Sequence, residues 1–392
     1  MNPARPRRRS TAGPLADLRV VDLATVLAGP GCARYLADFG ADVVKVEAPA
    51  GDSLRNMGWR DPRDDVSLFW KLAGRNKRCI ALDLKDADDL DVCRRLIDSA
   101  DVLVENLRPG KLEALGLAPA ELLTRNPGLV ITRVTGFGQD GPYADKPGFA
   151  TIAEAMSGFA AINGEPDGAP LLPPIALTDE VTAVVAAFAT MVAVHSGVGQ
   201  VVDVSLLESL FQLMGPLPAA WGLLGYEQPR LGAGIPYTVP RNTYRCADDR
   251  WVAVSTSADS VARRVVELVG VGGDERFATF AGRVEHRDEL DAVVAAWIAA
   301  RTRDEVLAAF EAAEAAAAPV LSVGELVADP HAVARAMVVE VDGVPMQGLV
   351  ARLSATPGAI RWAGRPRGAD EAEIRAELDG SADRPGGVTD PR

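Results

Sequence analysis

LRVVDLATVLAGPGCARYLADFGADVVKVEAP, Leu18 to Pro49, sets the architecture. Leu18–Leu23 is a short β-branched run, AGPG follows, Cys32–Phe39 has helical spacing, Gly40 can end that helix, and Val43–Val46 is β-branched again. Strand, helix and strand in one span of this length predict a β-α-β unit. The alternation continues through CIALDL (Cys79–Leu84), DVCRRLIDSA, DVLVE (Asp101–Glu105) and GLVITRV (Gly128–Val134). The fold class expected is α/β: a Rossmann-like large domain with a mostly parallel sheet, plus a smaller α+β domain.

The boundaries follow from composition. Residues 1–14 read as a disordered basic tail, 15–215 as the large domain, 216–245, rich in Gly and Pro, as a linker, and 246–325 as the small domain. Residues 326–392 read as a return linker and the C-terminal part of the large domain, with a charged helix at Asp370–Leu378. The small domain opens on strand-like Trp251–Thr256, followed by helices near Val261–Val269, Glu289–Ala300 and Arg303–Ala317. The stretch EAAEAAAAPV (Glu311–Val320) is read as helix because Ala and Glu are good helix formers and Pro319 would end it.

Nearly half of the 392 residues are apolar, enough for one large core and a second, smaller one. With 41 Lys and Arg against 54 Asp and Glu, a general nucleic-acid surface is not expected. An anionic ligand must be met locally. The cysteines (Cys32, Cys79, Cys93, Cys246) have no CxxC spacing and the histidines are only His195, His286 and His331, so no metal site is expected and the thiols read as reduced, in cytoplasm. The longest apolar run, Val181–Val194, falls short of the roughly 20 residues of a bilayer span and reads as a buried helix, with no membrane association.

Several residues are placed to carry chemistry. Thr178 or Asp179 is a good N-cap for the helix whose apolar positions begin at Val181, so the Asp179 carboxylate lies where the helix dipole favours its ionised form. A plain cap and a carboxylate nucleophile both fit that position. Amides at the helix start, near Glu180 and Val181, and glycine amides of Gly232 and Gly234 are candidate oxyanion donors, although LGAGIP also reads as ordinary linker. TVLAGPG presents a helix N-terminus suited to phosphate. Gly29, Gly31 and Glu47 fit part of a dinucleotide fingerprint, but Arg34 replaces its third glycine, which weakens a nicotinamide reading. Arg75, Lys77 and Arg78 precede one strand, where they could reach phosphates or stay solvated; Asn106, Arg108 and Gly110 follow another, at the end where open α/β sheets bind ligands.

Four motifs in order, AGPGCARYLADFGADVVKVEAP (Ala28–Pro49), ENLRPG (Glu105–Gly110), GFGQDGPYADKPGF (Gly136–Phe149) and GVGQVVDVSLLES (Gly197–Ser209), resemble the family III CoA-transferases. That group includes formyl-CoA transferase, L-carnitine CoA-transferase and the α-methylacyl-CoA racemases. The resemblance runs in register from about Leu15 to Leu378. It implies an enzyme that moves CoA from an acyl-CoA donor to a carboxylic acid, with CoA thioesters as substrates, no tightly bound cofactor, and an interlocked homodimer. Asp179 falls on the family's catalytic aspartate, which forms an acyl anhydride and then a CoA thioester. Val26, Leu27 and Ala28 fall on CoA contacts, the segments holding Arg75, Lys77, Arg78, Asn106 and Arg108 are raised to CoA contacts, and Gly232 and Gly234 lie where a glycine-rich loop closes over the site. The chain departs from the pattern where the racemases carry a histidine and an aspartate, having Phe149 and Ala150; a two-base racemase is disfavoured. The transferases often keep an acid at the place of Ala150, and Glu154, one turn on where a Gln is common, is read either as its substitute or as a surface residue. Without it, a catalytically altered or inactive acyl-CoA binder is the alternative.

Overall fold

Side chains of β-branched residues on alternate faces of each strand are what bring this chain into layers in the computed structural model, which describes residues 13–380. The basic tail and the last twelve residues lie outside the described residues, apart from Gly13 and Pro14. Two units separate. The first comprises the residues up to Ser157, Pro173–Leu213, and those from His331 onward; the second comprises Gly158–Leu172 and Met214–Pro330.

The first unit is built on six parallel strands: β1 (Arg19–Asp22), β2 (Asp42–Glu47), β3 (Lys77–Ala81), β4 (Val102–Glu105), β5 (Val130–Thr135) and β6 (Gln200–Ser205), in the order β3-β2-β1-β4-β5-β6. Val20, Val43, Val102, Val104 and Val130 meet the helices α1 (Ala28–Asp38) and, after α2 (Ala150–Met156), α3 (Leu177–Ser196) on one face. Their strand neighbours Val21, Val44, Leu103 and Ile131 point the other way, into Val92, Leu96 and Ile97 of the helix Ala87–Asp98 and Ile374 of the C-terminal helix Glu371–Leu378. Both faces are covered, as a parallel sheet requires. A two-stranded ribbon, β10 (Val338–Val341) with β11 (Val344–Gln347), completes this unit.

The glycines of the first βα turn serve close packing. A Cβ on Gly31 would stand 2.8 Å from Ala183 Cβ of α3, and one on Gly29 would stand 2.4 Å from Ala24 Cβ. Glu47 is buried and bound to Arg55, with 2.6 and 2.7 Å contacts, so it is not available to a ribose. The partial dinucleotide fingerprint is thereby corrected to a packing signature.

In the second unit β7 (Asn242–Arg245), β8 (Trp251–Val254) and β9 (Ala317–Pro319) form an antiparallel sheet. Val252, Val254, Val265, Leu290, Val294 and Phe310 make its core with three helices. The stretch suggested as linker, 216–245, holds the helix Leu217–Leu224 and strand β7. The alanine-rich stretch is also not one helix: the helix Arg303–Ala312 stops, Glu314 adopts φ 49°, and Ala317–Pro319 pairs with β8. Small side chains that favour a helix locally also let a strand dock flat on the sheet, and the tertiary pairing prevails.

Candidate active site

The strand order reverses between β1 and β4, and the loops that leave the C-terminal ends of these strands and of β5 part to form a cleft of about 380 Å³. Thr25–Ala28, Asn106–Pro109 and Val134–Gly136 line it, together with Lys146, Phe149, Ala150 and Asp179. Of the residues singled out in the sequence, Val26, Leu27, Ala28, Asn106, Arg108 and Asp179 are thus brought together.

Asn106 builds one wall. Its side chain reads the backbone of Thr25 as a strand would, accepting from Thr25 N–H at 2.8 Å and donating to Thr25 C=O at 2.7 Å. The next residue, Val26, is held at φ 65°, a left-handed conformation costly for a β-branched side chain, and such strain persists only where neighbours impose it. The helix α1 then begins with no capping side chain at Leu27, and its first residue, Ala28, lines the cleft.

Asp179 stands in the first turn of α3 and is not its cap: the helix starts at Leu177, after Ala176, with no side-chain cap. Its carboxylate has no hydrogen-bond partner among the described residues. The expectation that the helix start would favour the ionised form is also corrected. Burial, and then the charges of Glu154 and Glu180, push Asp179 up to about 6. Glu154 is no surface residue: it is 4% exposed, and its Oε1 accepts from Thr178 Oγ1 at 2.9 Å, one residue from Asp179. Glu180 is tied on the other side, to Arg34 at 2.9 Å and to the Tyr35 hydroxyl at 3.0 Å.

The basic segment before β3 is elsewhere. Lys77 is 1% exposed and donates to Asp22 at 2.8 Å and to the Pro30 carbonyl at 2.7 Å. Arg75 is bound to Asp38 at 2.6 Å and Arg78 to Asp42 at 2.8 Å and Glu377 at 2.6 Å. All three are buried with their charges satisfied, which corrects their reading as phosphate contacts: a cation already neutralised in the interior is not offered to a ligand. The exposed cations on the cleft are Arg108 and Lys146, and neither forms an ion pair among the described residues. Lys146 was not singled out in the sequence, though it lies within the GFGQDGPYADKPGF run; its ammonium rests 3.8 Å from the centroid of the Tyr143 ring.

The suggested oxyanion donors are also already engaged. Glu180 N–H donates to Ala176 C=O, Gly232 N–H to Gly164 C=O at 3.0 Å, and Gly234 N–H to Leu231 C=O at 2.9 Å. Both glycines belong to the second unit. Among the described residues no group of three or more His, Cys, Asp or Glu side chains could hold a metal. The four cysteines are buried and unpaired.

A doubly wound sheet with an unpaired carboxylate in the cleft at its switch point is the arrangement in which open α/β folds bind their ligands. The chain belongs to CoA-transferase family III, whose sequence profile matches residues 15–371. It is 40% identical over 380 residues to a succinyl-CoA–D-citramalate CoA-transferase of Chloroflexus aurantiacus, covering 94% of each chain. It is 37% identical to the beta subunit of a succinyl-CoA–L-malate CoA-transferase of the same organism, over 95% of this chain and 96% of that one. A crystal structure of a CaiB/BaiF family protein from Brucella suis superposes with a TM-score of 0.84 at 31% identity, covering 94% of this chain and 100% of the other. The protein is an enzyme of the CoA-transferase type, acting between acyl-CoA and carboxylates.

Proposed function

We infer that this protein transfers CoA from succinyl-CoA or a similar short dicarboxylyl-CoA to a dicarboxylic acid, with Asp179 as the nucleophile. The observation that carries this reading is the Asp179 carboxylate itself, half-buried, free of hydrogen bonds, and facing a cleft lined by the uncapped start of α1 and two unpaired cations. Donor and acceptor class are taken from the reactions of the two Chloroflexus relatives.

The steps balance without a metal or a redox partner. An Asp179 oxygen attacks the thioester carbonyl carbon, the C–S bond breaks, and CoA leaves as thiolate, giving an acyl anhydride. The thiolate attacks Asp179 Cγ, the anhydride C–O bond breaks, and the donor acid departs, leaving a CoA thioester on Asp179. The acceptor carboxylate then attacks Cγ, the Cγ–S bond breaks and CoA thiolate leaves, giving a second anhydride. The thiolate attacks the acceptor's carbonyl carbon, its C–O bond to Asp179 breaks, and the new acyl-CoA departs as the Asp179 carboxylate is restored. No proton is gained or lost overall.

The Ala28 amide at the start of α1 is the oxyanion donor in this scheme, since it meets no capping side chain beside the cleft. Arg108 and Lys146 hold the CoA phosphates. Glu154 takes the place of the acid missing at Ala150, by orienting Thr178 and by keeping Asp179 poised near neutrality. The enzyme works in the cytoplasm as a homodimer in this reading.

Intact-protein mass spectrometry after incubation with succinyl-CoA, with hydroxylamine trapping and peptide mapping, tests the mechanism. A CoA or succinyl adduct on the peptide holding Asp179, absent from Asp179→Ala, is the expected result. Wild-type turnover by Asp179→Ala would overturn the assignment.

A further inference from the structure

Next to the Asp179 cleft, on the other side of the same helix start, lies a second cavity of about 490 Å³. Leu27 lines both, and the start of α3 supplies Leu177, Glu180 and the preceding Ala176 to this cavity and Asp179 to the cleft. Its wall is mostly apolar, with Phe39, Leu72 and Leu349 among its residues, and Arg34 is a cation placed in it.

Arg34 is 5% exposed, its guanidinium lies 4.4 Å from the centroid of the Tyr35 ring, and its ion-pair partner is Glu180. The two partners differ in exposure. The Arg34 side chain is 7% exposed and the Glu180 side chain 43%, so the cation is enclosed while the anion reaches it from the solvent side. At the meeting point, a guanidinium N–H at 2.9 Å and a phenol O–H at 3.0 Å converge on one carboxylate oxygen, Oε2 of Glu180. That is a carboxylate site already filled by a carboxylate, next in sequence to the reacting one.

We propose that Arg34, helped by the Tyr35 hydroxyl, is the subsite for the distal carboxylate of a dicarboxylyl group bound to Asp179, and that Glu180 is the stand-in that leaves when substrate arrives. The subsite rests on the functional reading above and extends it to substrate selection. The exchange keeps the buried guanidinium paired throughout, which a monocarboxylyl group of the same length cannot do. Burial and the adjacent Glu180 hold the Tyr35 phenol above its usual range, so it stays a donor. The same replacement explains Arg34 at the position where a dinucleotide-binding turn would need glycine.

The test compares succinyl-CoA with butyryl-CoA, which has a methyl group in place of the distal carboxylate. In Arg34→Met the ratio of kcat/KM for succinyl-CoA to that for butyryl-CoA falls by at least about tenfold, the factor carried by one lost charge-assisted contact, with most of the change in KM for succinyl-CoA. Arg34→Lys recovers part of the ratio. An unchanged ratio, or an equal fall for both donors, overturns the proposal and leaves Arg34 a brace between α1 and α3. A second variant avoids dependence on the buried cation: in Glu180→Gln, free succinate binds several-fold more tightly by calorimetry while butyrate does not, and equal changes for the two acids overturn the subsite. This titration needs no turnover, so it reads the subsite even if wild-type protein forms no covalent adduct with either donor, the result that would instead sink the functional reading.

Discussion

Asp179 is held in a state that costs stability and, in its proposed role as nucleophile, serves reactivity. Its carboxyl, pushed up to about 6 by burial and by Glu154 and Glu180, is a better base and nucleophile than an ordinary aspartate, yet still ionised at neutral pH. In this reading kcat/KM rises about tenfold per pH unit below pH 6 and levels off above it. Glu154→Gln removes one of the charges behind the shift, and the inflection of the pH profile moves to lower pH; an inflection that stays in place would assign the titration to another group. The same shift has a thermodynamic consequence of definite sign. Between the unfolded value of about 3.9 and about 6, the folded chain binds the extra proton, so the fold is favoured below pH 4 and loses that contribution as pH rises through 6. Asp179→Asn, which never ionises, is expected to be more stable than wild type at pH 8 by on the order of 3 kcal/mol, with the gap closing by pH 4. Denaturant titrations of both proteins at the two pH values measure it, and a gap independent of pH would refute the buried carboxylate as its cause.

At the scale of elements, the first β-α-β unit was legible because its signals are local: β-branched runs, helical spacing and Gly40 all lie within one stretch. The charged segment before β3 was not, because a sequence gives the sign of a charge and not its burial. Arg75, Lys77 and Arg78 find Asp38, Asp22, Asp42 and Glu377, residues 36 to 299 positions away, and only the assembled sheet brings them together. Burial lowers the Lys77 ammonium despite Asp22 beside it, which marks the pair as a structural strut between β1 and β3. Lys77→Met therefore leaves Asp22 short of a partner in the core, and its expected cost in urea denaturation is about 3 to 5 kcal/mol. A loss much below 1 kcal/mol would show the charge to be solvated after all. Contacts to CoA phosphates fall to the loops after β4 and β5 in this reading. Arg108→Ala and Lys146→Ala weaken CoA binding and flatten its dependence on salt, whereas a salt slope unchanged from wild type would remove these residues from the phosphate site. Glu154 was legible as a candidate by its spacing from Ala150, but its burial under Thr178 depends on α2 packing beside α3 and could not be read from a single helix.

For the whole molecule, the decisive surface is the outer face of α3. The sequence suggests a buried helix, and one side is: Thr178, Thr182, Ala183, Ala186, Thr190 and Ala193 face the core, with the hydroxyls of Thr182 and Thr190 satisfied by backbone carbonyls one turn back. The other side carries Val184, Val185, Phe188 and Val192 into solvent, with Phe188 70% exposed. The helix is long and apolar enough to cross a membrane by length and composition. A row of this kind, set on the helix that carries Asp179 and next to exposed Val198 and Val201 near and in the edge strand β6, is larger than isolated surface apolar residues and calls for a cover. In the second unit the helix Leu217–Leu224 has no buried residue, and Trp221, Leu223 and Leu224 are exposed. A second copy of the chain is the cover we expect, because a symmetric contact lets one apolar patch meet another of the same kind. Light scattering on the purified protein then gives twice the chain mass, and Phe188→Asp with Val192→Asp gives a monomer that binds a hydrophobic dye. Wild-type protein that is monomeric, or a double variant that stays dimeric, would overturn the expectation, and recovery of wild-type protein in the membrane fraction would give that face to lipid instead.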